Sequence, residues 1–365
     1  MKGVFSIMTN KSKDSLDFFM GSLSPTGGFR GYVSQLNQQP DLWLYLIKAG
    51  PGCGKSTMMK CLAEKSCQPV ERIHCSSDPS SLDGVVFPAQ HAAILDATAP
   101  HCIDPTYPDA KQSVESLYHT MNRPAIKQKK EKIIQLFDTC SQLQKRANQC
   151  ISSASLLLRE QQMIASSALD ETKLTHYVNH LAQRLLPKTS HTGKEFFRLL
   201  SAVTPDGRIC WRNSVSAVAS HVVVFHDEYG AASRKAMELL RHAALDAGYE
   251  IYTCFCPLSQ PEAVEHILIP ELGMAFLTSN HWHPMKFEGQ QTIHCTRFMD
   301  KQELSCHKNR LKLSKQTVEE LLNQTSHFQQ EARENHNQLE SLYHSAIDFK
   351  QVDKITKQVA DELGL

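Results

Sequence analysis

The sequence predicts an α/β fold built twice in tandem: two parallel-sheet domains, each followed by a helix-rich extension. Three observations predict it. Short apolar runs of strand length alternate with stretches of helical period. The alternation repeats at an offset of about 180 residues. One strand-to-helix junction carries the glycine-rich pattern Ala49-Gly50-Pro51-Gly52-Cys53-Gly54-Lys55-Ser56, which is a phosphate-binding loop of the [Ala/Gly]-x4-Gly-Lys-Ser type.

Composition bounds the reading. The 365 residues suffice for two or three domains, and 41% apolar against 21% charged residues allows a sizeable core. Net charge is +1, from 39 basic and 38 acidic side chains, which argues against a long nucleic-acid backbone as partner. No run approaches the ~20 apolar residues that span a bilayer. The first twenty residues carry Lys11, Lys13, Asp14 and Asp17 and do not read as a secretory signal. Twelve cysteines lie scattered without a disulfide-domain spacing, so a reducing, cytoplasmic setting is expected.

Taken in order, residues 1–124 read as the first sheet domain. Leu42 to Ile47 is a buried-type strand ending at the loop; Met58, Met59, Leu62 and Ala63 then recur at helical spacing. Val70 to Cys75 reads as a second strand and Ala92 to Asp96 as a third. Residues 125–190 form the first extension, in which Ile133, Ile134, Leu136, Phe137, Cys140 and Leu143 make a helical stripe. Residues 191–305 repeat the domain, with strands at Val222 to Phe225, Glu250 to Cys256 and Gly273 to Thr278, and residues 306–365 repeat the extension. Ser24-Pro25-Thr26-Gly27 is echoed by Thr204-Pro205-Asp206-Gly207, and Asp83 to Pro88 by Glu265 to Pro270. The simplest expectation is a helical hairpin projecting from each core, with the basic run Lys127 to Lys132 a solvated face.

The first loop has the chemistry for a nucleoside triphosphate. Gly50, Gly52 and Gly54 let backbone N–H groups turn inward; Pro51 and Cys53 occupy permissive slots. Lys55 reaches β/γ oxygens, Ser56 can ligate Mg²⁺, and Thr57 lies on the α-phosphate side. The helix N-terminus adds partial positive charge. Asp96, closing the third strand, is the candidate for holding Mg²⁺ through water, and no glutamate follows it because residue 97 is Ala. Asp78, between strands two and three, is the candidate for orienting water or accepting a proton; Asp83, echoed by Glu265, leans toward structure. Thr98 is placed to sense the γ-phosphate, and His101 and Asp104 to bind substrate or shape their loop. Cys53 beside a helix N-terminus suggests a lowered thiol pKa.

In the second copy, the loop falls on His226-Asp227-Glu228-Tyr229-Gly230-Ala231-Ala232-Ser233. Alanine stands for the lysine, two acids stand where phosphate needs donors, Thr278 replaces Asp96, and Lys235 is out of register. One competent site and one degenerate site are expected. The neighbours Cys254/Cys256, His281/His283, His294/Cys295 and Cys306/His307 do not match zinc-knuckle spacing.

The loop, with His74-Cys75-Ser76-Ser77-Asp78, Ser81 to Val86 and Leu95-Asp96-Ala97-Thr98-Ala99-Pro100-His101, resembles a bacterial family of tandem P-loop ATPases over nearly the whole chain. The resemblance implies two P-loop NTPase-type halves and NTP binding in the cytoplasm, without a substrate; the degenerate second loop departs from that family. The expected function is Mg-ATP binding with ATPase activity in the first half. The alternatives are a small-molecule or nucleotide kinase, whose acceptor pocket would use Asp78, Asp83 and His101, and a nucleotide-gated module whose helical extensions meet a protein partner.

Overall fold

The computed structural model describes residues 15–99 and 102–365. Its first half runs β1 (Leu16–Phe19), β2 (Gly21–Leu23), β3 (Phe29–Gly31), α1 (Ser34–Gln38), β4 (Trp43–Lys48), α2 (Lys55–Lys65), β5 (Glu71–His74), β6 (Leu82–Phe87), β7 (Ala92–Asp96), β8 (Gln112–Ser116), α3 (Arg123–Gln128), α4 (Lys130–Ser167) and α5 (Glu171–Leu185). The second half repeats this order: β9 (Lys194–Arg198), β10 (Ser201–Thr204), β11 (Gly207–Cys210), α6 (Arg212–Val218), β12 (His221–His226), α7 (Ala231–Asp246), β13 (Glu250–Phe255), β14 (Val264–Ile269), β15 (Met274–Ser279), β16 (Gln291–His294), α8 (Lys301–Cys306), α9 (Lys308–His344) and α10 (Phe349–Leu363).

Each half centres on a six-stranded sheet, ordered β1-β5-β6-β7-β4-β8 and, in the same sense, β9-β13-β14-β15-β12-β16. The sheets are mixed, which corrects the all-parallel expectation. β6 and β14 are antiparallel to both neighbours, whereas β4 pairs parallel with β7 and β8, and β12 with β15 and β16. β6 was unforeseen because its Asp83-Gly84 reads as a turn. Gly84 in fact lies in a close approach of strands: a Cβ there would sit 2.8 Å from Leu95 Cδ2 and 3.0 Å from the Ile94 carbonyl oxygen. The two sheets share a register break at the same place, between Ile73/His74 opposite Asp83 and between Cys254/Phe255 opposite Glu265. A bulge re-aims the side chain of its extra residue, so these acids owe their position to the fold.

The extensions do not project from their own cores. α5 packs against α7 of the other half, and α10 against α2. On α10, Val352, Val359, Ala360 and Leu363 form one stripe that meets Met58, Met59 and Leu62, each large side chain contributing roughly 1.5–3 kcal/mol by burial. Leu174, Val178 and Leu181 of α5 enter the cluster holding Ala236, Met237 and Leu240. Equivalent bridges fix the exchange: Met121 pairs with Ile347, and Leu169 with Met299. Asp170 and Asp348 cap the two crossing helices at equivalent positions. Between them α4 and α9, of 38 and 37 residues, lie antiparallel, Cys140 meeting Ala332 and Gln161 meeting Ser314. In the α4 stripe Ile133, Leu136 and Leu143 are buried, but Ile134 and Phe137 face outward.

The sheets meet at β1 and β9, where Phe19 and Leu199 exchange backbone hydrogen bonds of 2.9 and 2.8 Å. Beside this bridge, Arg198 donates to Glu71 Oε2 through Nε (3.0 Å) and Nη2 (2.7 Å), and the Tyr252 hydroxyl donates to Oε1 (2.7 Å). Phe18 stacks on Tyr252 at 5.4 Å. By register Phe18 corresponds to Arg198 and Glu71 to Tyr252, so equivalent positions of the two halves are partners for one another.

Candidate functional site

β4 delivers the loop, and α2 begins at Lys55. Gly52 and Gly54 sit at φ +66° and +82°, a left-handed conformation that side chains disfavour. Lys55 Nζ lies 3.4 Å from Asp96 Oδ2 and donates to the carbonyls of Ala49 (3.3 Å) and Gly50 (3.2 Å). The juxtaposition follows from β4 and β7 being parallel neighbours, Ile47 opposite Asp96. The Ser56 hydroxyl accepts the Leu82 N–H at 2.9 Å. Asp96 Oδ1 accepts from the backbone N–H of Thr98 at 2.9 Å, and also from its hydroxyl. Lys55, Ser56 and Asp96 thus converge with the glycines, while Thr57 is exposed at the first turn of α2.

The other candidates stand apart. Asp78 Oδ1 and Oδ2 are taken by the hydroxyls of Ser80 (2.9 Å) and Ser81 (2.5 Å). Among the described residues, no hydrogen bond or ion pair joins Asp78 to Lys55 or Asp96. Asp104 pairs with Lys48 at 2.9 Å, and His101 lies outside the described residues. The expectation of an acidic Cys53 thiol is corrected: its side chain is buried, and burial pushes the thiol above its ordinary range despite nearby Lys55.

Sequence reasoning missed Glu340. Near the C-terminus of α9, it comes from the other half's extension and lies against Gly52: a Cβ there would stand 3.2 Å from the Glu340 Cβ, and the Gly52 N–H helps to stabilise the nearby carboxylate. His336, 3.5 Å away, and then that N–H hold the carboxyl below its ordinary range against the opposing effect of burial. A charged residue on a polar helix, far from the loop in sequence, carries no local signal of this contact.

In the second half the loop is shorter. Gly54 and Gly230 both precede their helix in the left-handed conformation, but nothing there corresponds to Gly52 and Cys53. Buried Asp227 folds onto the helix start, accepting from Ser233 N at 2.7 Å and Tyr229 N at 3.3 Å. A carboxylate of the chain therefore occupies donors that a phosphate would need. Lys235 turns away to Glu171, 3.7 Å distant.

Next to this loop lies a cavity of about 190 Å³ whose walls include Leu158 of α4, Tyr229, Glu265, Thr278 and His283. Among the described residues, Glu265, His266 and His283 are the group with metal-ligand spacing. The tautomer of His266 opposes that use. Thr278 N–H donates to its Nδ1 at 3.2 Å, so the ring proton sits on Nε2, which faces Glu265 Oε2 at 3.4 Å. A ligating nitrogen would have to present a lone pair there. Instead the group forms a polar network: Ser201 donates to Glu265 at 2.8 Å, and Thr278 Oγ1 lies 2.9 Å from His283 Nε2.

Burial pushes His283 down to about 4, Glu265 opposing and His266 assisting the shift. Burial alone would raise Glu265; His283, His266 and Ser201 outweigh it and hold the carboxyl at about 2. The neighbouring thiols of Cys210, Cys254 and Cys256 are all raised. Both depressed groups bind protons more readily in the unfolded chain. Stability should therefore be full above about pH 6.5 and fall between 6.5 and 4 as His283 resists protonation, by roughly 3 kcal/mol. Glu265 extends the loss below pH 4.5. Urea midpoints measured from pH 7 to 4 should show this slope, and His283→Gln should flatten it; an unchanged slope in the variant refutes the assignment.

No family model, curated protein or solved structure matches the chain.

Proposed function

We propose that the first half binds magnesium-ATP at residues 49–57 and hydrolyses it, the two sheets being halves of P-loop NTPase type. The observation that carries this reading is the convergence of a left-handed glycine loop, Lys55 and Ser56 at the start of α2, with Asp96 on the adjacent parallel strand 3.4 Å from Lys55. These groups fit the ligand: N–H donors and a cation for the phosphates, and a hydroxyl and a carboxylate as oxygen ligands for Mg²⁺, Asp96 through water. Lys55 and the loop amides would bear the charge that grows on the phosphoryl oxygens, so catalysis would rest on position and electrostatics.

The nucleotide-gated module is the second reading, supported by the seating of α9 on the loop and by Ala97 in place of an acid. Calorimetric titration of the full chain with a slowly hydrolysed Mg-ATP analogue should give one site per chain, because Asp227 fills the second loop; two equivalent sites would refute the single-site reading. Phosphate release from Mg-ATP by the same preparation separates an ATPase from a gate.

A further inference from the structure

The end of α9 lies directly on the phosphate loop. A Cβ at Gly52 would stand 2.8 Å from the Glu340 carbonyl oxygen and 3.1 Å from its Cα; one at Gly50 would stand 2.9 Å from Met121 Cε and 3.3 Å from Tyr343 Cε1. At Gly52, where the close neighbour is backbone and φ is +66°, only glycine permits this approach. This approach sets the Glu340 carboxylate beside the Gly52 N–H, which favours its charged form; that N–H is a donor of the kind the cradle would direct at a phosphate oxygen. The remaining groups are also satisfied internally, Lys55 by two carbonyls and Asp96, Ser56 by the Leu82 N–H.

The two halves thus share a device. In each, a carboxylate of the chain faces backbone donors of the loop region: Asp227 accepts two of them, and Glu340 lies beside the Gly52 N–H. Asp227 belongs to its own loop, is buried, and accepts the Ser233 N–H at 2.7 Å. Glu340 arrives from the opposite half, its side chain is 46% exposed, and its partner His336 is likewise near the surface. A multiply charged phosphate can displace such a group where it cannot displace Asp227.

Resting on the nucleotide reading above, we propose that Glu340 is a built-in competitor for the nucleotide's phosphates, so that the last turns of α9 keep the first loop closed until Mg-nucleotide displaces them. Binding would then release the end of α9 and the α10 that follows it. The halves would be coupled through a helix already packed along α4.

The test compares full-length wild type, Glu340→Gln, Glu340→Ala and Lys55→Ala by equilibrium binding of Mg-ATPγS, with hydrogen exchange of the loop amides in the free proteins. Glutamine keeps the shape and removes the charge; alanine removes the acceptor. Both Glu340 variants should bind roughly tenfold more tightly than wild type, and the loop amides of Glu340→Ala should exchange faster. Affinity equal to or weaker than wild type, or unchanged exchange in Glu340→Ala, overturns the competitor while leaving the loop reading intact if Lys55→Ala has lost binding. Lys55→Ala binding as well as wild type, or no binding by any form, overturns the loop reading and the competitor with it.

Discussion

Lys55→Ala should weaken Mg-ATP binding by on the order of 10²- to 10³-fold and abolish turnover, while leaving the fold in place. The side chain is the one lysine placed on the loop, and its ammonium already lies among two carbonyls and Asp96 in a largely buried setting. A charge there acts through less intervening water than a surface lysine does. Its removal leaves Asp96 with its two contacts from Thr98, so the structural cost stays small. Lys60→Ala, an exposed position on the same helix, is the control and should bind normally. Calorimetry with circular dichroism on both variants decides the matter: undiminished binding or ATPase rate in Lys55→Ala ends the assignment.

Arg198→Met should destabilise the whole chain by about 3–5 kcal/mol. Arg198 and Glu71 are 1% exposed each, and they lie where the two sheets join. Removing the guanidinium leaves Glu71 buried with the Tyr252 hydroxyl, and strips Tyr252 of a cation 5.6 Å from its ring centroid. The double variant Arg198→Met with Glu71→Leu should recover most of the loss, because apolar replacements need no ionic partner. Urea denaturation of the two variants measures both effects. A double variant as unstable as the single one would show that packing, not the stranded charge, is responsible.

Much of the sheet framework can be read from local pattern. The strand ending at Ile47, the glycine loop, the buried Met58, Met59 and Leu62, and the strand closing at Asp96 each follow from periodicity and from the φ freedom of glycine. The echo of Asp83 to Pro88 in Glu265 to Pro270 marked matching strands before either had been recognised as one. What escaped reading depended on distant partners. β6 and β14 are as long as any other strand, but their antiparallel pairing is set by neighbours on both sides. The amphipathic stripe of α10 specifies an apolar contact but not which sheet supplies it, so the crossing of the extensions had no signature within one helix. Asp78 looked chemical because serines and an acid followed a strand, yet those serines satisfy it. Glu340 illustrates the same limit within the site, since it meets Gly52 only after both halves have folded.

The exchange of extensions binds the fates of the two copies. The second half has no counterpart of Lys55 or Asp96, yet its α9 and α10 lie over the glycine loop and α2 of the first half. A substitution near the end of α9 therefore alters the surroundings of a loop nearly three hundred residues upstream.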